Sequence, residues 1–500
     1  MSHLTAQAQA VGGLRYASAS GRWVIAATVL GSSIAMIDAT AVGIALPTIG
    51  RQFHAGVAGL QWVSNGYMLT LSGLLLLGGS LGDRYGRRLL FVVGTVWFAV
   101  ASLLCGVAPS PGALIAARTL QGVGSALLTP GSLAILEASF AEEDRMRAIG
   151  AWSGFGGVAA AVGPFLGGWL ISAASWRLIF LINLPVAVAV VALAVRHVPE
   201  TRDETAAGPL DLRGAALCSA GLAGIVFGLI EGPVLGWTSA GTLTSLAGGA
   251  ALLAAFAVVE SRTENPMLPL SLFRSAQFTG ANAVTFVVYG AIGGAFFLLP
   301  IELQQVAHYS PIGAGVSLLP ITVITLALSA RSGALAQRIG PRLQMTVGPL
   351  LVGAGLALMV GIGADSGYLG SVLPGVAVLG FGLAVTVAPL TATVLAAAPA
   401  RNSGIASAVN NDVARTASLI AVAVLPALAG ITGDSYLHPA QFSSAFHTAV
   451  LISAACCGAG ALLSLLTIRN PVRRPQVVEP CRWHCAVDAP PLSEARATSS

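Results

Sequence analysis

No lysine occurs anywhere in this 500-residue sequence; all 25 basic residues are arginine. That absence removes whole chemistries. A phosphate-binding loop of the form G-x-x-x-x-G-K-[ST] needs its lysine on the nucleotide phosphates, and a Schiff base to retinal or pyridoxal needs a primary amine. No ATP partner is therefore expected, and uphill work must draw on an ion gradient or on another subunit. Charge of any kind is scarce, 9% of residues against about 25% in soluble domains. Cysteine is scarce too. Of the six, Cys105, Cys218, Cys456 and Cys457 lie inside apolar runs, where the residue acts as a small hydrophobe. Cys481 and Cys485 bracket His484 in "CRWHC", three potential ligands where a structural zinc site takes four, and an unstructured tail is the better reading. H-E-x-x-H and G-x-S-x-G are absent, and the seven histidines show no paired ligand spacing. Neither a metal, a cofactor nor an enzyme active site is expected.

What is present is apolar length. The chain is 55% hydrophobic, with a mean hydropathy of +0.81. About 20 apolar residues cross a hydrocarbon core, and fourteen such runs can be read: 23–46, 60–81, 89–108, 112–135, 148–172, 178–195, 214–231, 242–259, 278–300, 312–330, 344–363, 369–394, 404–430 and 447–468. In lipid the backbone must satisfy itself, as helices or as a closed barrel. The runs are continuous rather than alternating, so the fold class is an all-α polytopic membrane protein. The first run is too long for a signal peptide and carries Asp38, so it reads as a retained span. Placing the N-terminus in the cytoplasm puts every arginine on the cytoplasmic side except Arg51 and Arg177 outside and Arg118 and Arg415 within spans. That is the positive-inside asymmetry, with both termini cytoplasmic; the net charge of +5 therefore belongs to a membrane and not to nucleic acid.

The scarce charge is concentrated. "GGSLGDRYGRR" (78–88) places Asp83, Arg84, Arg87 and Arg88 within six residues. A partner stretch, "GALAQRIGPR" (333–342), repeats the Gly, Leu, Arg, Gly and Arg of "GSLGDRYGRR" (79–88) at identical spacing, with Gln337 in the place of Asp83. Each follows the second helix of a six-helix half if two helices are inserted between the halves, a parallel internal repeat of a kind that transporters use. The expected organisation is a cytoplasmic tail (1–22), a six-helix bundle (23–195), a cytoplasmic linker (196–213), two extra spans (214–259), a second six-helix bundle (278–468) and a disordered cytoplasmic tail (469–500). Gly79 and Gly86 would allow a tight turn, and Asp83 would cap a neighbouring helix and pair with arginines. The stretch thus reads as a conformational latch (Gly79, Asp83, Arg84, Gly86, Arg87, Arg88), with a second copy in Gly333, Arg338, Gly340 and Arg342; a static, positive-inside turn is the plainer alternative.

The signature G-x-L-x-D-R-x-G-R-R resembles the loop motif of the major facilitator superfamily. "MIDATAVGIALPTI" (36–49), "RTLQGVGSA" (118–126), "AVGPFLGG" (161–168), "WRLIFLINLP" (176–185) and "LFRSAQF" (272–278) resemble motifs of its 14-span drug:proton antiporter family. Ala159 stands where a glycine is often found in the fifth-span motif. The resemblance runs from about residue 23 to 468. It implies a 6 + 2 + 6 helix arrangement with pseudo-twofold halves, and export of a hydrophobic compound in exchange for protons.

The residues support that reading on their own. Asp38 sits roughly 13 Å from the outer end of the first span, and Arg118 roughly 10 Å from the same side in the fourth. A charge so deep costs at least about 2.5–3.5 kcal/mol and usually has a partner or a task. Asp38 and Arg118 are therefore the proton-coupling candidates, since burial and a nearby guanidinium act oppositely on a carboxylate's proton affinity; a purely structural ion pair is the alternative. Gln121 and Ser125 follow Arg118 on one helix face and serve either as helix–helix contacts or in a substrate cavity. Gly154, Gly163, Pro164, Gly167 and Gly168 form a candidate antiporter seam in the fifth span, with ordinary close packing as its rival. Glu231 and Glu302 are read near outer helix ends, as interfacial acids or as attractants for a cationic drug. Asn410, Asp412 and Arg415 in span thirteen are further cavity candidates, although the Asp412–Arg415 spacing suits an intrahelical pair.

The function expected is a proton-coupled secondary exporter of hydrophobic, drug-like or antibiotic small molecules, working by alternating access in a bacterial plasma membrane. Its partners are protons, such a substrate and the lipid bilayer, and a monomer suffices. A proton symporter importing a small metabolite is the alternative, and a non-transport membrane protein a more remote one. The fifth-span glycines and the shortage of polar residues within the spans argue against the symporter.

Overall fold

The computed structural model describes residues 13–203, 210–264, 266–364, 366–399 and 402–470. The "CRWHC" stretch, most of the expected C-terminal tail, residues 1–12 and part of the linker lie outside the described residues. Among the described residues thirteen helices are long and apolar enough to cross a membrane; a further one, Val57–Tyr85, is 29 residues long but more polar. In chain order the helices are α1 (Ala19–Phe53), α2 (Val57–Tyr85), α3 (Arg87–Gly106), α4 (Pro111–Ser139), α5 (Glu142–Ala173), α6 (Leu178–His197), α7 (Leu212–Leu235), α8 (Ala240–Arg262), α9 (Ala276–Gln305), α10 (Pro311–Ile339), α11 (Pro341–Gly361), α12 (Tyr368–Ala396), α13 (Gly404–Leu428) and α14 (Pro439–Thr467). The described residues form no β-strand, only an isolated bridge between Leu14 and Phe140.

Local chemistry sets the helix starts. Ser18, Ser110, Ser275 and Ser310 each accept a hydrogen bond from the amide three residues on, and Pro111 and Pro311 occupy first-turn positions that need no amide donor. Asp211 caps α7 in the same way, taking the amide of Gly214 at 2.7 Å. Several helices outrun the apolar stretch that announces them. The first begins at Ala19 rather than 23, α9 continues past 300 to Gln305, and α14 begins at Pro439 rather than 447. Hydropathy marks the part of a helix that needs apolar surroundings; backbone hydrogen bonding carries the helix further wherever polar side chains find partners.

Within the first six helices α1 packs on α5 and α6, α4 on α2 and α3, and α3 on α6; α9–α14 repeat the pattern, with α9 on α13 and α14, α12 on α10 and α11, and α11 on α14. Between these halves α7 and α8 pack on one another, and α7 lies against both α2 and α13. There Val226 and Ile230 of α7 form a buried cluster with Leu419 and Ala423 of α13. Glu231, expected at the end of this helix, lies inside it and accepts a hydrogen bond from Trp62 Nε1 at 2.8 Å, tying α7 to α2.

At the end carrying residues 54–56, the halves are joined by Gln61 Nε2 to the carbonyls of Val422 and Ala423 (2.7 and 3.0 Å), Asn65 to Leu419 O (3.3 Å), Gln304 to Ile44 O (2.9 Å), Tyr436 to Ala55 O (2.8 Å) and the Val57 amide to Gly433 O (2.7 Å). Also here α5 meets α10 backbone to backbone. A side chain at Gly168 would meet the Pro311 carbonyl at 2.5 Å, and one at Gly315 the Pro164 carbonyl at 2.2 Å.

Candidate functional site

Five helices of the first half converge on Asp38, which is 0% exposed. Its Oδ2 accepts Arg118 Nη1 at 2.5 Å; its Oδ1 accepts Gln121 Nε2 at 2.9 Å and Asn183 Nδ2 at 3.1 Å. Arg118, 2% exposed, also donates through Nη1 to Gln121 Oε1 (2.6 Å) and through Nε to Val63 O (3.2 Å), and it lies 4.3 Å over the Tyr67 ring. Ser102 Oγ accepts from both Gln121 Nε2 (2.8 Å) and Asn183 Nδ2 (3.3 Å), and Ser125 bonds the Tyr67 hydroxyl at 2.8 Å. Helical spacing explains how α4 contributes three of these groups: Arg118, Gln121 and Ser125 stand on one face at i, i+3 and i+7.

Both carboxylate oxygens are thus satisfied, and the arginine is held on three sides. A charge pair in a low-dielectric interior holds only while both members stay charged and in contact. The pair therefore ties α1 to α4. Gln121 and Ser125, expected as possible cavity residues, are 0% exposed and committed to this network. Ser102 and Asn183 were missed by the sequence reading. An asparagine in the middle of "FLINLP" was a visible signal; a serine in α3 was not.

The other candidates fall elsewhere. Glu302 is not interfacial: it lies inside α9, 0% exposed, where Ser443 donates to its Oε1 at 2.8 Å. Asn410 joins α13 to α9, donating to Asn282 Oδ1 (3.1 Å) and Thr285 Oγ1 (2.8 Å). Asp412 and Arg415 form no ion pair among the described residues in spite of their spacing, and Asp412 Oδ1 is buried without a hydrogen-bond partner.

At the opposite end of the bundle, the charged turn is built differently from expectation. Gly86 (φ +120°) makes the reversal between α2 and α3, and Gly340 (φ +86°) makes its counterpart between α10 and α11, a region glycine enters freely. Gly79 and Gly333 are not turn residues; they lie inside α2 and α10. Asp83 caps no neighbouring helix but pairs with Arg87 at 2.8 Å, four residues on. The capping acid is Glu200 from the linker, whose carboxylate takes the amides of Arg88 (3.0 Å) and Leu89 (3.2 Å) and pairs with Arg88. The linker is stitched further by the Arg87 amide to Thr201 O (2.9 Å) and the Asp203 amide to Asp83 O (2.8 Å). Arg84 lies 5.8 Å from the Tyr85 ring centre. In the second copy Pro341 replaces Arg87, Arg338 closes α10, and Arg342 donates to Leu465 O through Nε (3.1 Å) and Nη2 (2.8 Å).

Of the seam residues, Gly163 faces Thr40 and Gly167 faces Ala41, both on α1, whereas Pro164 and Gly168 meet α10 across the halves. Gly154 has open space around it and takes no part in close packing.

The sequence profile of the Major Facilitator Superfamily matches residues 28–423. The chain is 36% identical over 412 residues to the tetracenomycin C resistance and export protein of Streptomyces glaucescens, covering 82% of this chain and 76% of that protein. It is 36% identical over 413 residues to a methylenomycin A resistance protein of Streptomyces coelicolor (82% and 86%), and 35% identical over 414 residues to the multidrug resistance protein Stp of Mycobacterium tuberculosis (83% and 76%). In fold it resembles a bacterial homologue of the human lysosomal transporter Spinster, crystallised inward-facing and unoccupied, with a TM-score of 0.61 at 16% identity over 90% of this chain and 97% of that one. A peptide-bound POT family transporter gives 0.65 at 13% identity over 88% and 95%. The chain is a multi-pass membrane transporter of the Major Facilitator Superfamily.

Proposed function

We propose that the chain exports hydrophobic, drug-like or antibiotic compounds across a bacterial plasma membrane in exchange for protons, with both termini in the cytoplasm. The observation that carries this reading is the buried Asp38–Arg118 network, in a chain about a third identical over most of its length to antibiotic-resistance proteins. In this orientation the 54–56 end faces outward, so the contacts joining the halves there describe a transporter shut on its outer side. Protonation of Asp38 releases Arg118 and its helix; return of the proton to the cytoplasm restores the pair. The turn at 83–88, strapped by Glu200, latches the inner ends of α2 and α3, and the α5–α10 seam opens and closes as the halves rock. The energetics are adequate. One proton brings about 2.3 kcal/mol per 100 mV, enough at about 1.4 kcal/mol per tenfold for a gradient of roughly forty-fold.

The test is ethidium accumulation in cells expressing the wild type and Asp38→Asn, each with and without a protonophore. Dye exclusion that the protonophore abolishes, and that the variant lacks at normal membrane levels, is the expected result. A variant that exports as well as the wild type would remove Asp38 from the coupling role.

A further inference from the structure

A second buried acid, outside the Asp38 network, lies in the other half. Glu302 is 0% exposed in the last turns of α9; its Oε1 has the hydrogen bond from Ser443, and its Oε2 is buried with no hydrogen-bond partner. Among the described residues no cation pairs with it. Of the described elements packed against α9, α1 carries Arg22, Asp38 and Arg51, α10 carries Arg331, α13 carries Asp412 and Arg415, and the 270–274 turn carries Arg274, and none of these makes an ion pair with Glu302. Tyr436, on the 435–437 turn, gives its hydroxyl to Ala55 O. The titratable group connected to Glu302 is His447 on α14, through Ser443. His447 Nε2 lies 2.9 Å from Ile362 O and 3.5 Å from Ser443 Oγ. A backbone carbonyl only accepts, so Nε2 carries the hydrogen. That hydrogen is directed at Ile362 O, with Ser443 Oγ 3.5 Å from the same nitrogen, and Ser443 Oγ–H donates to Glu302 Oε1; a small turn of the imidazole away from the carbonyl completes a chain of donors from His447 Nε2–H through Ser443 Oγ–H to Glu302 Oε1.

Position gives this chain of donors a use. Ser443 and His447 are half-buried in the first turns of α14 at the 54–56 end, while Glu302 is sealed from solvent. Two residues beyond Glu302, Gln304 makes the bond to Ile44 O that joins α9 to α1. Two residues before it, Pro300 withholds an amide from the helix ladder, which leaves the last turn freer to move. We propose that Glu302 is a second proton-binding site, loaded from the 54–56 end through His447 and Ser443, and that its occupancy governs the contact between α9 and α1. The transfer balances. A proton arriving at His447 Nδ1 makes an imidazolium; Nε2 passes its hydrogen to Ser443 Oγ as Ser443 gives its own to Glu302 Oε1. The imidazole is left neutral with the hydrogen on Nδ1, the hydroxyl is restored, and the carboxylate becomes a carboxylic acid. Departure of that proton leaves a bare charge with a single hydrogen bond beside the seal, and admitting water by parting α9 from α1 relieves it. The consequence for transport rests on the exporter reading; the site itself does not.

The test is infrared difference spectroscopy on the full chain reconstituted in liposomes, after an external drop in pH and with no drug present. A deuterium-sensitive carboxylic-acid band should rise in the wild type and in Asp38→Asn and be missing in Glu302→Gln. In His447→Phe and Ser443→Ala it should reach full height but rise about a hundredfold more slowly, the low end for loss of one positioned proton-transfer group. These half-buried positions keep Glu302 in place and decide the matter even if Glu302→Gln fails to fold. A band that follows Asp38 instead, no band in any variant, or wild-type kinetics in both relay variants would overturn the proposal. Dye–proton exchange by the same liposomes is scored separately: a Glu302 band without exchange keeps the site and refutes the exporter reading.

Discussion

Asp38 and Glu302 have the same exposure, 0%, and opposite company. Asp38 has a guanidinium, two amide donors and both oxygens engaged; Glu302 has one hydroxyl and a vacant oxygen. Burial alone therefore says little about what an acid does in this bundle. The partners decide, because a paired charge is tied to the geometry of its partner, while an unpaired one is tied to whether water or a proton can reach it.

The largest expected effect that separates the two is loss of export in Asp38→Asn, with dye levels equal to those of cells lacking the protein and no further rise on uncoupling. Next, Arg118→Met leaves Asp38 buried without its cation and should destabilise the protein by about 3–5 kcal/mol, seen as a large drop in the thermal unfolding midpoint in detergent. Adding Asp38→Asn to that variant should recover most of the loss, whereas Glu302→Gln, with no cation to strand, should move the midpoint little. If Arg118→Met is as mild as Glu302→Gln, the contrast between the sites fails. Asn183→Ala removes one donor from Asp38 and should cost about 1–3 kcal/mol while leaving the ion pair in place. The smallest effect is expected far from both acids: Glu200→Gln weakens a half-exposed cap and should cost no more than about 1 kcal/mol.

The unequal legibility of these sites has physical causes. Fourteen apolar runs were visible because the lipid core imposes a length and a composition, and Asp38 and Arg118 stood out because charge inside such a run is costly. Helix limits were less visible, since polar residues continue a helix without an apolar signal. That is why Glu302, two residues past Pro300 and the end of its run, looks interfacial in the sequence although it is buried. The i, i+3 spacing of Asp412 and Arg415 permitted a pair, but rotamers and neighbours, which spacing does not encode, kept them apart. Ser102, the Val63 carbonyl and Glu200 belong to the sites only through packing between elements distant in sequence. Nothing local marks a serine in α3 as facing Asn183, or one acid of the linker as the cap of α3.

The meeting of α5 with α10 has a consequence for motion. At Gly168 and Gly315 each helix presents bare backbone to a carbonyl of the other, whereas nearer the middle the Leu326 side chain of α10 sits over Gly157 of α5, so the interlocking is confined to one part of the seam. Interlocked side chains must leave their rotamer wells before two helices part, and each such step adds friction to the path. The smooth stretch around Gly168 and Gly315 separates without that step. A β-carbon at either glycine would do more than loosen the fit: it would exchange a sliding surface for a toothed one, and the speed of rocking would suffer before the fold did.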